Sequence, residues 1–361
     1  MADLGVIIGV ATFSWLVTVL LVPLIARLCR QRGWLDQPGP RKVHTRPTPR
    51  LTGVALFVAI WLPLVGLTLL FPHWLAEFRG QALPILSGAI VILLLGIVDD
   101  LRPLPGSAKL GVQLIVGSFL WFAGVNFGRL WIPFVGGLEL GALSWPVTVL
   151  WFLILVNAVN IIDGLDGLAV GTTAVAALTL LWVSQTLALR PIWIGTAGLF
   201  GGLVAFWRYN RHPAQVFMGD GGSLSLGYFF AVVALMAPIK RFTAVAFFVP
   251  IFALILPLAE SAFSVWRRSL TGTNPLRADY GHLHHRLLAA GWSPKAIVRA
   301  YMLVTGVFGL FSVLMRYGNR RLVALGIGIF VLLIMVVLGI IFDLWGKRAG
   351  SRRAAGKRFE E

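Results

Sequence analysis

The sequence predicts an all-α, polytopic integral membrane protein with about eleven transmembrane helices, its N-terminus outside and its C-terminus cytoplasmic. Three observations predict it. Of 361 residues, 58% are hydrophobic and 12% charged, with a mean hydropathy of +0.86. A soluble protein of this length cannot bury so much apolar surface. The apolar residues gather in runs of about 20, each long enough to cross the hydrocarbon core. Lys and Arg are concentrated in alternate loops, the asymmetry expected of cytoplasmic segments. The short alternating segments of a transmembrane barrel are absent.

Taken in order, the predicted spans cover 4–28, 51–71, 83–98, 108–124, 144–161, 168–188, 192–208, 222–237, 243–266, 297–316 and 321–345. The first is too long for a signal-peptide core, and no small-residue cleavage pattern follows it, so it reads as a retained span. Asp99-Asp100 closes the third. Residues 125–143, Gly-rich and apolar, predict a small hairpin resting on the membrane. Asn157 to Ala169 closes the fifth span and leads into the sixth. The ninth carries Glu260, which either serves the site or hydrogen-bonds a neighbouring helix. Residues 1–346 read as one transmembrane domain, and the basic tail 347–361 as disordered and drawn to anionic headgroups.

Assigning loops alternately puts 23 of the 31 Lys and Arg on one side. That side is therefore the cytoplasm. Arg316, Arg320 and Arg321 fit least well, which makes the last hairpin the weakest part of the topology. The net charge of +17 is thus explained by membrane orientation and does not argue for nucleic acid. A single Cys29 excludes a disulfide framework and a thiolate metal site.

Five polar clusters fall on the predicted cytoplasmic face, although that face was assigned from Lys and Arg alone. They are Arg41-Lys42-Val43-His44 with Arg50; Asp99-Asp100; Asn157 to Ala169; Phe217 to Ser223, which surrounds Asp220; and His282-Leu283-His284-His285-Arg286. Adjacent carboxylates bind a cation or raise one another's pKa, or simply stop a span. At about 100° per residue, Asn157 and Asn160 share a helix face, whereas Asp166 would point the opposite way. The helix is therefore expected to end near Asp163 and turn at Gly164 and Gly167, bringing both acids below the asparagines. Asp-Gly turn chemistry alone is the simpler alternative for Asp166-Gly167. Asp220, among glycines, suits Mg²⁺ held by a carboxylate, water and phosphate oxygens, or else a loop capped by Ser223. The histidines with Arg286 suit anion contact better than zinc, and a plain basic loop remains open for them and for Lys42 and His44. No P-loop, zinc-protease or serine-hydrolase motif occurs.

In combination these pieces resemble one family, the polyprenyl-phosphate N-acetylhexosamine-1-phosphate transferases. The resemblance rests on Asp99-Asp100, the Asn157-x-x-Asn160-x-x-Asp163-Gly164-x-Asp166-Gly167 run, Phe217-Met218-Gly219-Asp220, and His282-x-His284-His285, in that order. It implies transfer of a sugar 1-phosphate from a UDP-N-acetylhexosamine to undecaprenyl phosphate, with release of UMP. It also implies Mg²⁺, with Mn²⁺ as a substitute, a bacterial inner-membrane location with a cytoplasmic active site, and compatibility with a homodimer. By the same resemblance, Asp220 is the metal ligand, and Asp99, Asp100 and Asp163 are catalytic. Asp99 would act as base or orienting group for the lipid phosphate. Asn157, Asn160, Asp163 and Asp166 would contact the nucleotide and diphosphate. His282, His284, His285 and Arg286 would lie near the substrate diphosphate, with Lys42 and His44 a looser match. Pro103 stands where some relatives carry a third acid, and Leu283 interrupts the three consecutive histidines of the muramyl-pentapeptide branch. The third acid is therefore not essential here, and the interrupted histidines favour the GlcNAc-1-phosphate branch.

The expected chemistry is direct attack of the lipid phosphate on the sugar-linked phosphorus. A phospho-aspartate at Asp163 or Asp99 is the rival. A transporter would place its charges near the bilayer midplane and show internal symmetry. A CDP-alcohol phosphatidyltransferase would need an Arg-bearing spacing that does not follow Asp166-Gly167.

Overall fold

A computed structural model describes residues 2–39, 46–71, 79–132, 136–186, 190–236, 258, 282–317 and 328. The ninth and eleventh predicted spans, apart from residues 258 and 328, lie outside the described residues, as do Glu260, Lys42, His44 and the basic tail. The helices are α1 Ala2–Arg32, α2 Val54–Leu70, α3 Arg79–Leu101, α4 Gly106–Phe122, α5 Ser144–Ile162, α6 Leu168–Thr186, α7 Arg190–Asn210, α8 Gly219–Met236, α9 Leu283–Ala289 and α10 Pro294–Tyr317. Among the described residues, seven helices are long and apolar enough to cross a membrane, and α4 is a shorter apolar helix. The chain is thus an all-α, multi-pass membrane protein. The short α9, between the ninth and tenth predicted spans, holds the histidines.

Burial orders the bundle. In α8, 89% of the apolar window is buried, against 28% in α1. α8 packs on α3 and α5, while α7 packs on α1, α2 and α6, and α10 lies against α6. α7 is not among the seven apolar spans, yet most of its residues are buried; it is shielded by other helices and needs no lipid-facing stripe. Large apolar side chains such as Leu20, Leu69, Leu83 and Phe122 stand exposed on the outside, as a lipid-facing coat requires.

Two antiparallel ribbons complete the described part. β1 (Leu35–Asp36) pairs with β2 (Thr48–Pro49). β3 (Arg129–Ile132) pairs with β4 (Gly136–Glu139), the hairpin anticipated in 125–143, with Arg129 opposite Glu139 and ion-paired to it.

Close approach of α3 to α8 sets the site. A Cβ on Gly96 would lie 2.4 Å from the Cα and N of Gly221. Only a residue without a side chain lets the end of α3 run so near the start of α8. That contact places Asp99 and Asp100 beside Asp220.

Candidate active site

The two acids that close α3 do different work. Asp100 is a cap for α8: its Oδ1 accepts the N–H of Asp220 at 2.9 Å and its Oδ2 the N–H of Gly221 at 3.1 Å. A carboxylate there satisfies donors that a helix start leaves open and complements the helix dipole. Arg50 Nε lies 3.0 Å from Oδ1 of Asp100 and balances its charge. Asp99 turns the other way. Its Oδ1 accepts the N–H of Leu104 at 2.7 Å, and its Oδ2 meets the Lys109 ammonium at 2.9 Å.

Lys109 Nζ also reaches Oδ2 of Asp220, at 3.1 Å. Carboxylates from α3 and α8 therefore converge on one cation supplied by α4. Asp220 stands in the first turn of α8, because the helix begins at Gly219 and not, as expected from sequence, after a loop reaching Ser223.

The expected break in α5 occurs. The helix ends at Ile162, Asp163 donates its N–H to the carbonyl of Asn160 at 3.2 Å, and Gly167 takes a left-handed φ of 77° before α6 starts. The two glycines serve different needs. Gly167 supplies the backbone conformation, whereas Gly164 supplies room: a Cβ there would lie 2.7 Å from Nε2 of His284. The histidine segment is thereby brought onto the turn. His284 is fully buried, Arg286 is buried too, and the rings of His284 and His285 are 4.3 Å apart.

Asp163 faces the acidic cluster. The residue is half-buried; burial pushes its pKa well above the usual carboxylate range, and the charges of Asp220 and Asp100 push it the same way. Asn160 donates to Ser223 Oγ at 2.9 Å, tying α5 to α8. Asn157 is paired with Gln113 of α4, its Nδ2 donating to Oε1 at 2.6 Å. Asp166 is engaged by the loop after α7: its Oδ2 meets His212 Nδ1 at 2.8 Å and accepts the N–H of Ala214 at 3.0 Å. The structure thus brings Asp99, Asp163, Asp220 and His284 to one end of the bundle. It makes Asp100, Asn157 and Asn160 the residues that hold that end in shape.

Comparison with known proteins shows the family. The family model described as glycosyl transferase family 4 matches residues 82–238, the stretch from α3 through α8. A probable undecaprenyl-phosphate N-acetylglucosaminyl 1-phosphate transferase of Bacillus subtilis is 31% identical over 342 residues, covering 94% of this chain and 92% of that protein. The chain belongs to glycosyl transferase family 4. Further family members agree in length and sequence. A decaprenyl-phosphate N-acetylglucosaminephosphotransferase of Mycobacterium tuberculosis is 31% identical, over 85% of this chain and 81% of its own. A phospho-N-acetylmuramoyl-pentapeptide-transferase of Caldanaerobacter subterraneus is 30% identical over 74% of this chain and 84% of its own.

The donor set of this family 4 site fits Mg²⁺ in one specific way. Among the described residues, no three His, Cys, Asp or Glu side chains are placed to hold an ion between them. Asp220 and Asp99 nevertheless converge on one positive charge, the Lys109 ammonium. A site of one or two carboxylates, completed by water and substrate phosphate, is the usual way Mg²⁺ is held. Sequence reasoning missed Lys109, Gln113 and Asn210. Asn210, buried, accepts the Gly167 N–H at 3.0 Å and donates to the carbonyl of Val216 at 2.9 Å, joining the turn to the loop before α8. Lys109 had one readable signal, a lone cation opening an otherwise apolar run.

Proposed function

We propose that this chain is a phosphotransferase that moves N-acetylglucosamine 1-phosphate from UDP-N-acetylglucosamine to undecaprenyl phosphate. It does so at the cytoplasmic face of a bacterial inner membrane, as the first membrane step of a cell-envelope glycan. An oxygen of the lipid phosphate forms a bond to the sugar-linked phosphorus; the bond from that phosphorus to the bridging oxygen breaks, and UMP leaves with that oxygen. The convergence of Asp99, Asp163 and Asp220, from three separate helices, at the end of a membrane bundle carries the reading. Phosphoryl transfer depends on positioning and charge neutralisation more than on covalent help. A membrane-anchored phosphate must be met where helices reach the surface.

Each side chain then has a task. A phosphate monoester has a second pKa of about 6 and is mostly ionised at neutral pH, so the acceptor needs no strong base. Asp99, fixed by the Leu104 N–H, orients Lys109, whose ammonium offsets the charge of the incoming lipid phosphate. Asp220 is the residue to hold Mg²⁺, with Asp99 beside it; bound there, the ion neutralises the donor diphosphate and the departing UMP. Asp163 lines the donor's path with His284 at the neighbouring Gly164. Asp100 positions Asp220 through the start of α8.

The test is UMP release from purified protein with undecaprenyl phosphate, Mg²⁺ and a panel of UDP-N-acetylhexosamines, with UDP-N-acetylmuramoyl-pentapeptide included. UMP from UDP-N-acetylglucosamine is expected. No UMP from any donor overturns the reading. A labelled phospho-enzyme formed without lipid acceptor overturns direct attack.

A further inference from the structure

At Asp166 of the Asp163–Gly167 turn, with none of Asp99, Asp163 and Asp220 in its described lining, lies a cleft of about 630 Å³. Its rim is basic. Arg208 and Arg211 reach it from the end of α7, and Lys295 and Arg299 from the first turns of α10. Lys295 and Arg299 are four residues apart and so share a helix face. Among the described residues none of these four cations has a carboxylate within ion-pair distance. The one acid in the lining, Asp166, is already held by His212 and the Ala214 N–H. Four exposed positive charges thus border one half-open cleft, in whose described lining no free negative charge occurs.

All four side chains are exposed, and Arg299 donates its Nε–H to the Lys295 carbonyl at 3.3 Å. They nevertheless border one concavity, and its wall is completed by Trp207 and Met302, which pack over Gly171 of α6. Arginine forks match phosphate oxygens in two-point contacts, and lysine adds a mobile charge. The depth also matters. The apolar span of α10 starts at Pro294, so Lys295 and Arg299 lie where a crossing helix meets the headgroups.

We propose that this cleft binds a phosphate-bearing anion separate from the reacting substrates, with the headgroup of an anionic phospholipid as its expected source. Arg211 and Arg299 grip the phosphate from opposite walls, Arg208 and Lys295 add charge at the rim, and Trp207 with Met302 meets the less polar part of the headgroup. The inference rests on the chain crossing a membrane, not on the transferase reading, and its test reads binding without turnover.

The experiment compares lipid retention in purified protein. The delipidated chain is exchanged into mixed phosphatidylglycerol and phosphatidylcholine, and bound lipid is counted by native mass spectrometry. Wild type is expected to prefer phosphatidylglycerol. Arg211→Ala with Arg299→Ala should lower that retention at least about tenfold, as loss of two headgroup-level charges implies. The pair Arg211→Lys with Arg299→Lys, which keeps the charge, should retain part of it and guards against misfolding. Arg27→Ala with Arg30→Ala, at the end of α1, removes the same charge elsewhere and should retain wild-type preference. Equal loss in the α1 pair and the cleft pair, or loss in neither, overturns the proposal. A second arm titrates inorganic phosphate without Mg²⁺. Saturable binding that the cleft pair abolishes, without lipid preference, assigns the site to a soluble phosphate. Neither lipid preference nor phosphate binding in wild type overturns the proposal outright.

Discussion

Asp99 and Asp100 are neighbours in sequence with opposite employment. One reaches Lys109, and the other is consumed by two N–H groups and Arg50. The residue with most at stake is Asp220, which combines a place at the start of α8 with the shared ammonium. Asp220→Ala should lower UMP formation by at least about 10²–10³, the scale of removing one electrostatic stabiliser from a phosphoryl or acyl transfer site; near-wild-type turnover at limiting Mg²⁺ would remove Asp220 from the metal site. Asp163 gives a pH prediction. Its pKa is raised by burial and by the charges of Asp220 and Asp100. A cation on Asp220 cancels one of those charges, so Mg²⁺ binding should lower the Asp163 pKa and release protons. Mg²⁺ affinity should therefore rise with pH until the raised Asp163 pKa is passed. Calorimetry in buffers of different ionisation enthalpy reads the proton release directly; an affinity independent of pH would contradict the placement. In metal-free protein the sign reverses. The folded state holds the Asp163 proton more tightly than the unfolded one, so its contribution to stability falls as pH climbs above the ordinary carboxylate value.

At the level of elements, the site depends on how closely α3 and α8 approach. The Gly96 to Gly221 contact has no room for a methyl group. Gly96→Ala should cost about 1–3 kcal/mol, the scale of overpacking a close interface. It should also lower activity by shifting Asp99 and Asp100 relative to Asp220. Gly5→Ala, in open space on α1, is the matched control. Thermal unfolding in detergent reads the stability, and UMP release reads the displacement; equal behaviour of the two variants would show that the contact is not tight. α5 is joined to the same core by Asn157 with Gln113 and Asn160 with Ser223. Two part-buried amide contacts at one helix end hold the turn that follows in a fixed register.

For the whole molecule, orientation is the property to test. With 23 of 31 basic residues on the side of the aspartates, that end should face the cytoplasm. In a Cys29→Ser background, Gly128→Cys, exposed before the β3–β4 hairpin, should react with a membrane-impermeant thiol reagent in intact cells. Ser107→Cys, exposed at the start of α4, should react only after permeabilisation. The reverse pattern would invert the topology and separate the site from a cytoplasmic nucleotide sugar.

The sequence by itself determined the class and the chemical vocabulary of the site. Apolar runs of membrane length can only be spanning helices, because lipid offers backbone groups no partners. Asp99, Asp163, Asp220 and His284 were legible because each is a costly polar group in a chain that otherwise avoids them. The glycine-broken end of α5 was legible too, since helical geometry alone made a straight continuation inconsistent with Asp166. Tertiary structure decided everything that depends on which helices touch. Gln113 and Asn210 carry no local signal of their roles, and Lys109 shows only as a lone cation; each matters through a partner 43 to 111 residues away. Nor does adjacency distinguish Asp99 from Asp100, since consecutive helical residues point about 100° apart and only the packed neighbour settles which one meets the cation. Close packing at Gly96 and Gly221, not any pattern along the chain, brought the acids of α3 to the acid of α8.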